Sequence, residues 1–170
     1  MIISWLKDQY PSLSIQHSIE EEPLGTGGAI RLACKLASEK TVYVLNGDTI
    51  FNVELKRLGE FHQNHEADCT LSLKPMIDFD RYGVVELNQD MSIASFTEKQ
   101  QFDRGLINGG VYALNISSFM EEVLPVKFSF EKDYLEKFLD KRKIFGMAQD
   151  KYFIDIGVPE DYERANLELG

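Results

Sequence analysis

The sequence predicts an α/β fold in which a mostly parallel mixed sheet is flanked by helices. Helix-like and strand-like segments alternate through the first half of the chain, which is typical of βαβ units. After Pro75, short strand-like runs are separated by polar turns such as Asn88-Gln89-Asp90, which predicts antiparallel pairing onto the same sheet. The 170 residues contain no internal repeat and no linker, so we expect a single domain.

The first half of the chain predicts the order β-α-β-α-β after a helix-like opening. A run of β-branched and aromatic residues that stops at Asn46-Gly47 is typical of a buried strand that meets a turn. Apolar residues that recur from Leu55 to His65 at helical spacing predict an amphipathic helix. The predicted elements are a helix at 2–6, strands at 14–20, 41–46 and 69–74, and helices at 28–37 and 55–65.

The second half predicts strands followed by two helices. Strands are expected in "YGVVELN", "SIASFTE" and "INGGVYALN", and a helix is expected at 134–139. A further apolar run at 152–154 predicts a strand that ends at Asp155. Pro159, followed by Glu160 and Asp161, suits the first turn of a closing helix at 159–169 and the positive end of its dipole.

Composition excludes several classes of function. A net charge of −10 argues against nucleic acid as a partner, because phosphate backbones require clustered Lys or Arg. No run approaches the roughly 18 apolar residues of a membrane span, and the opening residues lack the features of a signal peptide, so we expect no membrane partner and a cytoplasmic location. Cys34 and Cys69 lack metal-ligand spacing and are interpreted as apolar core residues.

Asp48 and Asp155 follow two similar apolar runs, "TVYVL" and "YFI". In open α/β sheets ligands bind beyond the carboxyl ends of strands, so two carboxylates placed there are candidates to share one Mg²⁺ ion. The alternative is that each aspartate only forms a turn or caps a helix. On these residues alone both interpretations stay open.

The run Glu20 to Gly28, "EEEPLGTGG", joins a predicted strand to a predicted helix through three glycines. Such a turn exposes backbone groups and permits close approach of a flat ligand. No Lys follows the glycines, so it is not a P-loop, and a plain tight turn explains the run equally well.

Six motifs taken together, in this order and spacing, resemble the sugar-phosphate nucleotidyltransferases. They are "EEPLGTGGAI", "VLNGDT", "RYGVVELN", "FTEK", "INGGVY" and "YFIDIGVPEDY". Within that family the sequence is most similar to guanylyltransferases that act on D-glycero-D-manno-heptose 1-phosphate and then to those that act on mannose 1-phosphate. The resemblance implies a Rossmann-like nucleotidyltransferase fold. It also implies transfer of a nucleotidyl group from a nucleoside triphosphate to a sugar 1-phosphate, and we expect that group to be guanylyl. Pyrophosphate would be released, and the product would serve surface-polysaccharide biosynthesis.

The resemblance also implies a role for particular residues. Asp48 and Asp155 would hold Mg²⁺ and, with Lys99 on the sugar phosphate, form the catalytic set. The implied nucleotide-binding residues are Glu22, Leu24, Gly25 and Thr26, and the implied sugar-binding residues are Gly83, Glu98, Asn108 and Gly109. Carboxylate and amide groups suit sugar hydroxyls, and a lysine suits a phosphate. A solvated Glu98-Lys99 pair and a bulge at Asn108-Gly109 remain alternatives.

One family feature is absent from this sequence. The family opens with a strand, a Gly-Gly-x-Gly-Thr-Arg-Leu loop that wraps the triphosphate, and a Pro-Lys pair. We therefore expect that residues are missing upstream, that the sheet has an exposed edge which a homodimer would cover, and that the chain alone does not release pyrophosphate. Two hypotheses follow: the chain is most of an enzyme, or it is a catalytically silent nucleotidyltransferase-like binding or regulatory module.

Overall fold

The computed structural model describes residues 2–169 as helices on both faces of a sheet, with two small ladders beside it. The helices are α1 (Ile2–Gln9), α2 (Gly25–Cys34), α3 (Leu55–Asn64), α4 (Ile116–Met120), a π-helical segment (Phe130–Leu135) and α5 (Pro159–Leu169). The strands are β1 (Thr41–Leu45), β2 (Thr49–Phe51), β3 (Cys69–Phe79), β4 (Val85–Leu87), β5 (Ile93–Phe96), β6 (Phe102–Asn115), β7 (Ile144–Ala148) and β8 (Phe153–Asp155).

The main sheet has four strands in the order β1-β6-β3-β7. Strand β6 is antiparallel to both of its neighbours, and β3 pairs with β7 in parallel. Strands β1, β3 and β7 therefore run in the same direction, and β6 runs against them. The predicted α/β class with a mixed sheet is confirmed.

Helices cover both faces of β6, because alternate residues of a strand point to opposite sides. Tyr112 and Leu114 lie in a core cluster that includes Phe119 and Tyr134 from the helical segments after β6. Ala113, the residue between them, and Val111, the residue before Tyr112, lie in a separate cluster with residues of β2 and α3. The sheet is therefore the middle layer of the domain.

Several predicted elements need correction. Residues 14–20 form no strand: the segment pairs with none of the described strands, although Ser18 lies beside the open edge of β1. The helix predicted at 134–139 is only partly helical: a π-helical segment, Phe130–Leu135, covers its first two residues, and the rest is turn. Strand β3 continues through Pro75 to Phe79, and beyond Leu73 it pairs only with β6, so a proline is tolerated there. Strands β2 and β7 and helix α4 were not predicted.

Strand β1 lies at an edge of the main sheet. Within residues 2–169 its only partner is β6, and Tyr43 and Leu45 on it are exposed. A shallow groove of about 420 Å³ runs along this edge, lined by β1, α2 and Ser18. The homodimer expected to cover such an edge stays a prediction. None of the described helices has the length and apolar character needed to span a bilayer.

Candidate functional site

Six stretches of the chain converge on one open cleft of about 400 Å³, which we call the cleft. It lies where β1, β6 and β8 meet the hairpin of β4 and β5 and the π-helical segment. Its charged side chains are five carboxylates, from Asp48, Glu98, Glu131, Glu136 and Asp155, and two lysines, Lys99 and Lys132. The cleft is therefore acidic, with two cationic groups on its wall.

The β2-β8 ladder brings Asp48 and Asp155 together. Thr49 pairs with Asp155, and the Ile156 amide donates a 2.8 Å hydrogen bond to the Asp48 carbonyl. Their carboxylates border the same space: a Cβ on Gly157 would lie 3.0 Å from Asp155 Oδ1 and 3.7 Å from Asp48 Oδ2. Both distances start from the same point, so the two carboxylate oxygens cannot lie further apart than the sum of the two distances.

Neighbouring donors hold the Asp155 carboxylate in place. The Gly157 amide donates to Oδ1 at 2.9 Å, and the Tyr82 hydroxyl donates to Oδ2 at 3.2 Å. Burial, reinforced by the charge of Asp155, raises the pKa of Tyr82 to about 12. The hydroxyl therefore remains a donor at neutral pH.

The chemistry of this pair fits Mg²⁺. Oxygen ligands suit a hard cation, and Mg²⁺ is commonly held by one or two carboxylates while phosphates and water complete its octahedron. Across the described part of the chain no group of three or more His, Cys, Asp or Glu could hold a metal, which argues against an all-protein cage. The two aspartates therefore suit a metal that arrives with a phosphate-bearing substrate.

Most residues predicted to bind the sugar phosphate border the cleft. Gly83, Glu98, Lys99 and Asn108 all line it, and Gly109 does not. Gly109 packs beneath the wall, where an added Cβ would come within 2.4 Å of the Phe51 ring. Its predicted role in closing the sugar pocket has no contact with the cleft to support it.

Asn108 is held by its neighbours in β6. Its amide nitrogen donates to the Tyr112 hydroxyl at 2.9 Å, and its carbonyl accepts from the Gly110 amide at 3.1 Å. Gly110 has φ +71°, and a Cβ there would lie 2.8 Å from the Asn46 side chain. A glycine is therefore required at this bend, which aims Asn108 at the cleft.

The predicted nucleotide loop lies beside the cleft and does not line it. Leu24 faces a separate apolar depression, and Glu22 is exposed. Gly25 has φ +73°, and a Cβ there would lie 2.6 Å from the Phe128 carbonyl, so the loop is anchored against the chain just before the π-helical segment. The structure leaves the nucleotide role of these residues a prediction.

Thr26 connects that loop to the cleft. Its hydroxyl accepts from the Phe130 amide at 2.8 Å and donates to Glu131 at 2.9 Å. Glu131 also accepts from the Tyr112 hydroxyl at 3.3 Å, so one carboxylate joins the glycine loop to the residue that orients Asn108. The predicted nucleotide loop and the predicted sugar-binding residues are therefore connected through Glu131.

Sequence reasoning missed several cleft residues. They are Asn46, Thr49, Tyr82, Thr97, Tyr112, Glu131, Lys132 and Glu136. Glu131 had a usable signal, because Ser129 followed by a charged run is typical of a helix start, and Ser129 does cap the segment by accepting from the Lys132 amide. Tyr112 had none, since it belongs to an apolar strand and is buried.

Comparisons with known proteins agree with this geometry. Residues 3–170 match the nucleotidyl transferase family. The chain is 48% identical to the D-glycero-alpha-D-manno-heptose 1-phosphate guanylyltransferase of Aneurinibacillus thermoaerophilus, over 99% of this chain and 73% of that protein. The enzyme of the same description from Campylobacter jejuni is 45% identical, over 95% and 71%.

Solved structures give the same assignment. The crystal structure of HddC from Yersinia pseudotuberculosis superposes with a TM-score of 0.89 at 36% identity and covers 99% of this chain and 73% of that one. The same protein complexed with GMP-PN superposes with a TM-score of 0.88 at 35% identity, with the same coverage. Sequence and fold agree, and the chain belongs to the nucleotidyl transferase family.

Proposed function

We propose that this chain forms the binding site of a guanylyltransferase that transfers a guanylyl group from GTP to a heptose or mannose 1-phosphate. The observation that carries the proposal is the cleft, in which the Asp48 and Asp155 carboxylates and Lys99 surround space lined by sugar-compatible groups. The relatives named for heptose 1-phosphate support the choice of substrate class.

Charge balance in the cleft supports a divalent cation. Five carboxylates face two lysines, and both substrates add phosphate charge. Mg²⁺ held by Asp48 and Asp155 would neutralise the phosphates and help to align them. Without a cation the aspartates would repel the substrates.

The residues of the chain then have distinct roles. Lys99 holds the sugar phosphate, while Glu98, Asn108 and the Gly83 backbone receive the sugar hydroxyls. Held in this way, a phosphate oxygen of the sugar attacks the α-phosphorus of GTP. One P–O bond forms, the bond to pyrophosphate breaks, and no covalent enzyme intermediate is needed.

The nucleobase is assigned to the loop that contains Glu22, Leu24, Gly25 and Thr26. Its support is the chain of hydrogen bonds from Thr26 through Glu131 to Tyr112, which keeps the loop next to the cleft. GTP as substrate implies a cytoplasmic enzyme, and the nucleotide sugar that it makes would supply polysaccharide synthesis.

Ligand-dependent thermal unfolding tests the proposal. Ligands that bind only the folded state stabilise it by about 2.7 kcal/mol at a concentration 100 times Kd. With Mg²⁺ present, we expect GTP, GDP-sugars and mannose or heptose 1-phosphate to raise Tm, and UTP and dTTP to raise it much less.

Two variants sharpen this test. Asp48→Asn should abolish the Mg²⁺-dependent part of the shift, and Asp140→Asn, an exposed aspartate outside the cleft, should keep it. A shift equal for all nucleotides, or one that is unchanged in Asp48→Asn, contradicts the proposal.

A further inference from the structure

An ion pair between the buried Asp161 and the partly exposed Arg81 lies behind Asp155, in a depression separate from the cleft. Asp161, in the first turn of α5, is only 7% exposed, and its Oδ2 lies 2.7 Å from Arg81 Nη1. Its other oxygen lies 3.2 Å from Arg164 Nη1 on the same helix. A charge this buried requires a partner, and Arg81 supplies a charge-assisted hydrogen bond.

The other side of the Arg81 guanidinium faces the carboxylate of Asp155. Arg81 Nη2 donates to the Tyr82 hydroxyl at 3.2 Å and lies 4.0 Å from Asp155 Oδ2. The Arg81 guanidinium also lies over the Tyr82 ring, 5.5 Å from its centre. Tyr82 in turn donates to Asp155 Oδ2. A continuous set of contacts therefore runs from Asp161 through Arg81 and Tyr82 to Asp155.

The distances show which carboxylate binds Arg81 more closely. Arg81 makes its short contact with Asp161, while its contact with Asp155 is at the limit of an ion pair. A guanidinium released from Asp161 would be free to form a direct, bidentate pair with Asp155. Such a pair would occupy the oxygens that a cation needs.

We propose that Asp161 and Arg81 are positioning residues for Asp155: Asp161 holds the Arg81 guanidinium away from the carboxylate, and Arg81 orients the carboxylate through Tyr82. Asp155 thereby keeps a fixed rotamer and stays available to a divalent cation. This inference rests on the proposed function, because it assumes that Asp155 is a metal ligand. Helix α5 is then a structural support of the metal site in addition to a covering helix.

The test measures cation affinity without turnover. Titration calorimetry of the folded chain with the preformed complex of Mn²⁺, a probe for Mg²⁺, and GTP gives Kd for each variant. Changes to residues that support metal ligands typically cost 10–100-fold in affinity, so we expect Asp161→Asn to weaken Mn²⁺ binding about tenfold or more. The matched control is Arg164→Gln, which removes the other partner of Asp161; the ion pairs of Arg164 are with Asp161 and Glu168.

A double-mutant cycle tests whether Asp161 acts through Arg81. Once Arg81→Gln is present, Asp161→Asn should cause no further loss of Mn²⁺ affinity, because the guanidinium that it restrains is gone. Thermal unfolding is recorded for every variant. A role limited to anchoring α5 would lower Tm and leave Kd within twofold of the wild type, and that result overturns the proposal.

The wild-type titration separates this proposal from the proposed function. If the wild type binds Mn²⁺ in an Asp48-dependent manner and Asp161→Asn binds it equally well, only the positioning role fails. If the wild type shows no Asp48-dependent binding, the metal site itself is refuted, and the positioning role with it.

Discussion

Replacing Gly83 with alanine should push apart the chain just before β4 and the chain just after β5, where these two paired strands carry the sugar side of the cleft. The ideal position of a Cβ on Gly83 lies 2.1 Å from the Thr97 carbonyl oxygen, and that neighbour is backbone. The same strands are joined there by the Thr97 amide, which donates to the Val84 carbonyl at 2.8 Å. A methyl group fits only if the strands move apart by about 1 Å, enough to weaken this hydrogen bond.

The size of the effect follows from these contacts. Overpacking typically costs about 1–3 kcal/mol, and for a chain of this size each kcal/mol lowers Tm by roughly 2–4 °C. Because Glu98 and Lys99 follow Thr97 directly, the same movement displaces them from the sugar phosphate. We expect a loss of sugar 1-phosphate affinity of about tenfold or more, with nucleotide affinity much less affected.

Thermal unfolding and titration calorimetry with mannose 1-phosphate measure both effects. Gly47→Ala is the matched control, because it also lies in a loop at the cleft and its added Cβ would meet nothing within 4 Å. An unchanged Tm and an unchanged sugar-phosphate affinity in Gly83→Ala would refute the reasoning. So would equal losses in the two glycine variants.

Three further predictions concern other parts of the chain. Lys99→Ala should weaken sugar 1-phosphate binding far more than GTP binding, with Lys127→Ala as the control outside the cleft, and equal weakening of both ligands in calorimetry would contradict the assignment. Glu131→Gln should weaken GTP binding severalfold, because a neutral amide holds the Thr26 hydroxyl less strongly; an unchanged Kd would disprove this link. Burial lowers the pKa of His62 below 6.5, so the unfolded state takes up its proton first and stability should fall as the pH drops through about 6.5. In urea unfolding from pH 8 to 5, His62→Gln should flatten this slope, and a slope identical to the wild type would rule out His62 as its source.

Local patterns were sufficient where a segment's structure depends on its own residues. The runs that became β1, the start of β3, α3 and α5 combine the right periodicity with turn or helix-start residues, so their positions were predicted closely. The prediction of a strand at 14–20 was wrong because strand formation also depends on residues outside the segment. A strand forms only when it pairs with a neighbouring strand, and no local pattern reports whether a segment will pair.

For the candidate site, the sequence by itself determined residue chemistry: two aspartates after strand-like runs, a Glu-Lys pair and a glycine-rich loop, recognisable together as a family pattern. Only the tertiary structure decided which of them meet. The β2-β8 ladder places Asp48 beside Asp155, and the π-helical segment adds Glu131 to the same cleft. The Arg81–Asp161 pair behind Asp155 likewise depends on where α5 packs. Contacts between segments distant in the chain arise from burial and pairing of whole elements, and that information is spread over many residues.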